Sequence, residues 1–119
     1  MSSVFIVDDS RTMRKMLAGA LKEAGIEVIG NAGNGIEALE QLKTIKPDLI
    51  TLDITMPEMD GLDALRFIKK DNPDQKVLMV SAAGQKEKVL EALKLGALDF
   101  IQKPFEPEEV IKTIQKALA

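Results

Sequence analysis

The sequence predicts an α/β domain: a doubly wound, five-stranded parallel sheet with five helices on its two faces. Three observations point there. Short apolar runs alternate with amphipathic stretches in the order βαβαβαβαβα, the pattern of parallel strands joined by helical crossovers. The apolar runs are brief, and several are rich in β-branched residues and near-continuously hydrophobic, as strands covered on both faces are. The chain has 119 residues, 45% of them hydrophobic and 29% charged, which suits one domain with a real core.

The strand candidates are residues 4–7, 27–31, 48–52, 76–80 and 98–101. Between them lie helices with recognisable ends. The first has Ser10 as candidate N-cap and an apolar stripe of Met13, Met16, Leu17, Ala20, Leu21 and Ala24, closed by Gly25. The second opens at Asn34, with Glu37 three residues on as in a capping box. It presents Ile36, Leu39 and Leu42 and stops before Pro47. The third starts near Asp60-Gly61, shows Leu62, Leu65 and Ile68, and ends before Asn72-Pro73. The fourth carries Val89, Ala92 and Leu93 and stops at Gly96. The fifth has Pro107 in its first turn, Glu108 and Glu109 at its positive end, and Lys112 and Lys116 further on. Right-handed crossovers leave few topologies. Five strands favour the flavodoxin-like order 2-1-3-4-5, taken by analogy with solved folds rather than derived from the residues.

Composition excludes several chemistries. There is no Cys, hence no disulfide, thiolate metal site or thiol nucleophile. There is no His, which removes the commonest general base and most zinc sites. Net charge is −3, so nothing suggests a nucleic-acid surface. Arg11, Arg14, Lys15 and Lys22 read as a solvated helix face. Neither a signal peptide nor a membrane-length apolar run is visible, so a cytoplasmic location is expected. The stretch from Gly30 to Gly35 matches neither G-x-G-x-x-G nor a P-loop and reads as a flexible turn. Met13, Met16, Met56 and Met59 read as core or turn packing.

What remains is a set of polar residues at strand tips. In a parallel sheet all strands point one way, and ligands bind beyond their C-terminal ends. The first strand ends in Asp8-Asp9, the third in Asp53, the fourth in Ser81, and the fifth, after Gln102, in Lys103-Pro104. The second offers only the neutral Asn31-Ala32-Gly33. Each polar residue has an ordinary structural reading: Asp53 as a turn residue before the stiff Met56-Pro57, Asp8-Asp9-Ser10 as a helix start, Ser81 as a cap, Lys103 as a surface lysine. Their convergence on one edge is what points to function. Two unit charges 4 Å apart repel by about 4 kcal/mol at an effective dielectric near 20. One Lys offsets part of this among three carboxylates; a hard divalent cation offsets more. Oxygen-only ligation fits Mg²⁺ or Mn²⁺ better than zinc. Protonation of one carboxyl is the alternative.

The segments VFIVDDS, LITLDITMPEMDG, VLMVSA and DFIQKPF, in that order, resemble the receiver domain of two-component response regulators, over essentially the whole chain. Because the 119 residues contain nothing else, the likeness is strongest to the stand-alone CheY-like chemotaxis regulators, themselves known examples of the strand order adopted above. The resemblance implies a single receiver domain over residues 1–119 that acts as a phospho-acceptor protein and not as an enzyme with its own substrate. Asp53 would be the phosphoacceptor. Mg²⁺ (or Mn²⁺) would be held by Asp9 directly, Asp8 through water, Asp53 and the Thr55 backbone carbonyl. Ser81 and Lys103 would hold the phosphoryl group, Phe100 would turn inward in the switch, and Pro57 and Pro104 would shape turns, the Lys103–Pro104 bond being cis. The implied partners are a histidine kinase as phosphodonor, the flagellar motor switch protein and a phosphatase, with no nucleic acid or membrane and a monomeric state. Phe100 stands where the family often has Tyr, and Ser81 where it often has Thr, so switch strength and partner contacts are expected to differ. Thr55 and Ala83 lie where the family tunes phosphoryl lifetime. Two readings compete: a receiver belonging to another or longer regulator, and a haloacid-dehalogenase-like phosphohydrolase. The latter's D-x-D motif is here Asp53-Ile54-Thr55.

Overall fold

The computed structural model describes residues 2–119. The five strands are β1 (Ser3–Val7), β2 (Glu27–Ala32), β3 (Leu49–Asp53), β4 (Lys76–Ser81) and β5 (Asp99–Gln102). All pair in parallel, in the order β2-β1-β3-β4-β5. The helices are α1 (Arg11–Glu23), α2 (Gly35–Gln41), α3 (Gly61–Asp71), α4 (Lys86–Lys94) and α5 (Pro107–Leu118). The flavodoxin-like architecture expected from the sequence is therefore present. Strand ends differ by at most one residue. Asp53 and Ser81 are the last strand residues of β3 and β4, because each still pairs with its neighbour, Asp53 opposite Val80 and Ser81 opposite Gln102.

Period-2 alternation divides the strand residues between two cores. Phe5, Val7, Ile50, Leu52, Val77 and Met79 pack with the buried faces of α2, α3 and α4. Val4, Ile6, Leu49, Leu78 and Ile101 pack with Leu17 and Leu21 of α1 and Val110 and Ile114 of α5. The helix starts follow their side chains. Ser10, Asn34 and Asp60 accept the backbone N–H of Met13, Glu37 and Asp63 respectively. Gly25, at φ 78°, closes α1 in the left-handed conformation that a C′ glycine tolerates.

Two apolar positions expected inside lie outside. Met16 and Ile36 are exposed, since each stripe is wider than the strip of helix that meets the sheet. The segment from Gly30 to Gly35 is not a free turn. Residues 30–32 complete β2, and Gly35 begins α2. A Cβ on Gly30 would come within 2.9 Å of the Phe5 ring, and one on Gly35 within 2.9 Å of Met59. These glycines are packing requirements.

The β3 residue Thr51 is 1% exposed, and its hydroxyl is the one fully buried side-chain polar atom among the described residues without a hydrogen-bond partner. An unpaired buried hydroxyl costs free energy. Thr51→Val is expected to raise the urea midpoint at unchanged m value, corresponding to about 1 kcal/mol; a lower midpoint would show that the hydroxyl is satisfied.

Candidate functional site

The polar tips meet as the strand directions require. Asp8 extends the alternation of Val4 and Ile6, Asp53 that of Leu49 and Thr51, and Lys103 that of Ile101, so all three leave the sheet on the α1/α5 side. Lys103 Nζ donates to Asp8 Oδ2 at 3.0 Å and to Asp53 Oδ2 at 3.1 Å. Asp8 and Asp53 are buried, Asp9 is exposed, and one carboxylate oxygen from each of the three lies within 4.8 Å of the others. Asp8 also accepts the Ser10 N–H through Oδ1 at 2.8 Å. It thus opens α1 and faces the cluster at once; the structural and functional readings of Asp8-Asp9-Ser10 both hold.

Gly61 fixes the floor. Its N–H donates to Ile54 O at 2.7 Å, and a Cβ there would overlap the Asp53 carbonyl oxygen, so only glycine lets α3 start against the end of β3. The loop between carries local strain. Glu58 has φ 66°, with Met59 N donating to Pro57 O at 2.8 Å across it, a γ-turn seldom adopted by a non-glycine residue. Pro57 shapes this turn, and the Lys103–Pro104 bond is cis.

Ser81 and Phe100 sit apart from the acid cluster. Ser81 is buried, and its carbonyl accepts the Lys103 N–H at 2.7 Å. Its side chain borders a separate cavity of about 310 Å³, lined also by Gln85, Val89, Leu93 and Phe100. Phe100 is 41% exposed at the mouth of that cavity. Thr55 is exposed in the β3–α3 loop, its hydroxyl accepting from Gln85 Nε2.

Two participants were not legible beforehand. Arg14, read as part of a solvated face, donates from Nη1 to Asp8 O at 2.6 Å and from Nε to Asn31 Oδ1 at 3.0 Å. The neutral tip of β2 therefore contributes through Arg14, one helical turn beyond the Ser10 cap. Gln85 is the second; nothing in the sequence marked a lone amide after Gly84.

The donor set fits a hard cation. It is all oxygen, it carries three negative groups against one ammonium, and two of those acids are buried. Asp8, Asp9 and Asp53 can jointly hold a divalent metal.

Comparison with known proteins agrees. The family model for the response regulator receiver domain matches residues 4–115. The chemotaxis protein CheY of Thermotoga maritima is 51% identical, over 95% of this chain and 94% of its own length. The CheY of Bacillus subtilis is 46% identical, over 97% and 96%. Among solved structures, the CheX–CheY–BeF₃–Mg²⁺ complex of Borrelia burgdorferi superposes with a TM-score of 0.94 at 35% identity, covering 99% of this chain and 90% of that one.

Burial, and then the charge of Asp8, push the Asp53 carboxyl from its ordinary 3.8 up to about 6, against the opposing pull of Lys103; Asp9 adds to the rise. Burial alone would lower the Lys103 ammonium, but its bonds to Asp8 and Asp53 and their charges outweigh this and hold it above its ordinary value. A carboxyl raised in the folded state binds more protons there than in the unfolded chain between pH 3.8 and about 6. Stability therefore falls as pH rises through that window, and the full penalty stands above it. Without divalent cations, Asp53→Asn is expected to be more stable than the parent at pH 7.5, by on the order of 1–3 kcal/mol, with the gap closing below about pH 4. Thermal melts across that range check this; equal stability at pH 7.5 would contradict it.

Proposed function

The chain belongs to the response regulator receiver family, and from that premise we propose that it is a phospho-acceptor switch of a chemotaxis two-component system, modified on Asp53. The observation that carries this reading is the buried Asp53 carboxylate, bonded to Lys103 and crowded by Asp8 and Asp9. Such a group is a poor structural element and a well-placed nucleophile.

The chemistry follows from the chain's own residues. An Asp53 carboxylate oxygen attacks phosphorus of a phosphohistidine on a kinase, or of a small acyl phosphate. The P–N or P–O bond of the donor breaks, the electron pair leaves with the donor, and an acyl phosphate forms on Asp53. Lys103 stabilises negative charge on the phosphoryl oxygens from the side where it already bonds Asp53. Asp8, Asp9, Asp53 and the Thr55 carbonyl would hold Mg²⁺, which would supply charge neutralisation during transfer. The Ser81 hydroxyl would move from the cavity side toward the phosphoryl group, and Phe100 would turn into the space it leaves in the cavity that both line. The readout face is then α4, β5 and α5, and the partner is the flagellar motor switch. Water attack on the acyl phosphate resets the protein, so the chemistry is self-directed. The residues work as one receiver domain.

Incubation with Mg²⁺ and acetyl phosphate, followed by intact mass analysis, tests the reading. One phosphoryl adduct labile to hydroxylamine is expected, absent in Asp53→Asn and reduced at least tenfold in rate in Asp9→Ala, the scale expected for losing a metal ligand. An unchanged mass, or an adduct on another residue, would refute it.

A further inference from the structure

The Gln85 carboxamide spans the two loops that flank Asp53. Its Oε1 accepts the Ala82 N–H at 2.6 Å, and its Nε2 donates to the Thr55 hydroxyl. One side chain thus ties the β4–α4 loop, which follows Ser81, to the β3–α3 loop, which follows Asp53. Gly84, at φ 83°, turns the backbone just before it. Gln85 also occupies the N-cap position of α4, yet makes no capping bond to that helix. Its amide is spent across the site, and the first turn of α4 is left without a side-chain cap.

The N–H groups that directly follow Asp53 and Ser81 differ in kind. The Ile54 N–H is committed to Val80 O at 3.0 Å, a backbone bond at the end of the sheet. The Ala82 N–H, the first donor after Ser81, is held only by a side chain and can be handed over. An acyl phosphate on Asp53 would bring new oxygens to this edge. Lys103 is already shared between Asp8 and Asp53 and can serve only part of them. The exchangeable Ala82 N–H is a further donor that the β4–α4 loop can offer.

We propose that Gln85 is a latch: its bonds to Ala82 and Thr55 stabilise the unmodified arrangement of both loops and must open when Asp53 carries a phosphoryl group. This inference rests on the phospho-acceptor reading of Asp53 and adds a control element to it. The latch also borders the cavity that holds Ser81 and Phe100. Opening it therefore frees the start of α4 and the cavity wall together. A latch that opposes the modified state lowers the apparent affinity for anything that mimics that state.

The test is binding of beryllofluoride, an acyl-phosphate mimic, in Mg²⁺, followed by fluorine and amide NMR on the full chain. The variants are Gln85→Ala, Thr55→Val (which keeps the backbone carbonyl) and the double variant. Each single variant is expected to bind the mimic roughly three- to tenfold more tightly than the parent, the change that one or two lost hydrogen bonds produce. Because both break one latch, the double variant should gain no more than Gln85→Ala alone. In the unliganded Gln85→Ala protein, the amide resonances of Ala82 and Phe100 should shift toward their liganded positions, which loss of stability alone does not cause. Unchanged or weaker binding by Gln85→Ala, or fully additive effects, would overturn the latch while leaving the phospho-acceptor reading intact. A parent protein that binds no beryllofluoride would overturn both.

Discussion

One ammonium group shared between two buried carboxylates organises the functional end of this molecule. Lys103 reaches Asp8 and Asp53 at 3.0 and 3.1 Å, and Asp9 stands beside them without a comparable partner among the described residues. The balance is deliberately incomplete in physical terms. A second lysine would cut the excess negative charge and weaken the case for a metal. No lysine would leave Asp53 protonated over a wider range and a weaker nucleophile. With one ammonium against three carboxylates, the site stays electrostatically unsatisfied and fits a divalent ion.

The acid cluster and the Ser81–Phe100 cavity lie on opposite faces of the sheet. Asp8, Asp53 and Lys103 continue the residues that pack against α1 and α5. Ser81 and Phe100 border the cavity under α4. The acid cluster is anchored through Arg14 on Asp8 and through the glycine-only contact of α3 with Asp53. The α4 side is less constrained, with an exposed aromatic, an open cavity and a helix start lacking a capping side chain. Gln85, bonded to both flanking loops, lies on the boundary.

Much of this was legible in the sequence because two simple periodicities carry it. Alternation along short strands, and the common direction of parallel strands, bring Asp8, Asp53 and Lys103 to one edge without any knowledge of side-chain contacts. The caps at Ser10 and Asn34 and the helix start near Asp60 were equally readable, since each is a short polar residue just ahead of an apolar stripe. What escaped were contacts between elements distant in sequence. Arg14 on Asp8 and Asn31, and Gln85 on Thr55, depend on how helices and loops sit over the sheet, and a lone Arg or Gln on a polar stretch has no local signature. Met16 and Ile36 were misplaced for a related reason: helical periodicity marks a stripe, but the width of the stripe that is covered depends on the neighbouring element. The glycines at 30 and 35 read as flexibility when they in fact answer to the Phe5 ring and Met59.

The claim beneath all of this is that burial and neighbouring acids hold Asp53 in an unfavourable charge state that one lysine relieves only in part. Carbon-13 NMR titration of the Asp53 side-chain carboxyl, with and without Mg²⁺, addresses it directly. The account predicts a midpoint near pH 6 in the absence of metal, in line with a carboxyl raised to about 6, and a clear fall when Mg²⁺ is added. A midpoint at the ordinary aspartate value, indifferent to Mg²⁺, would contradict it.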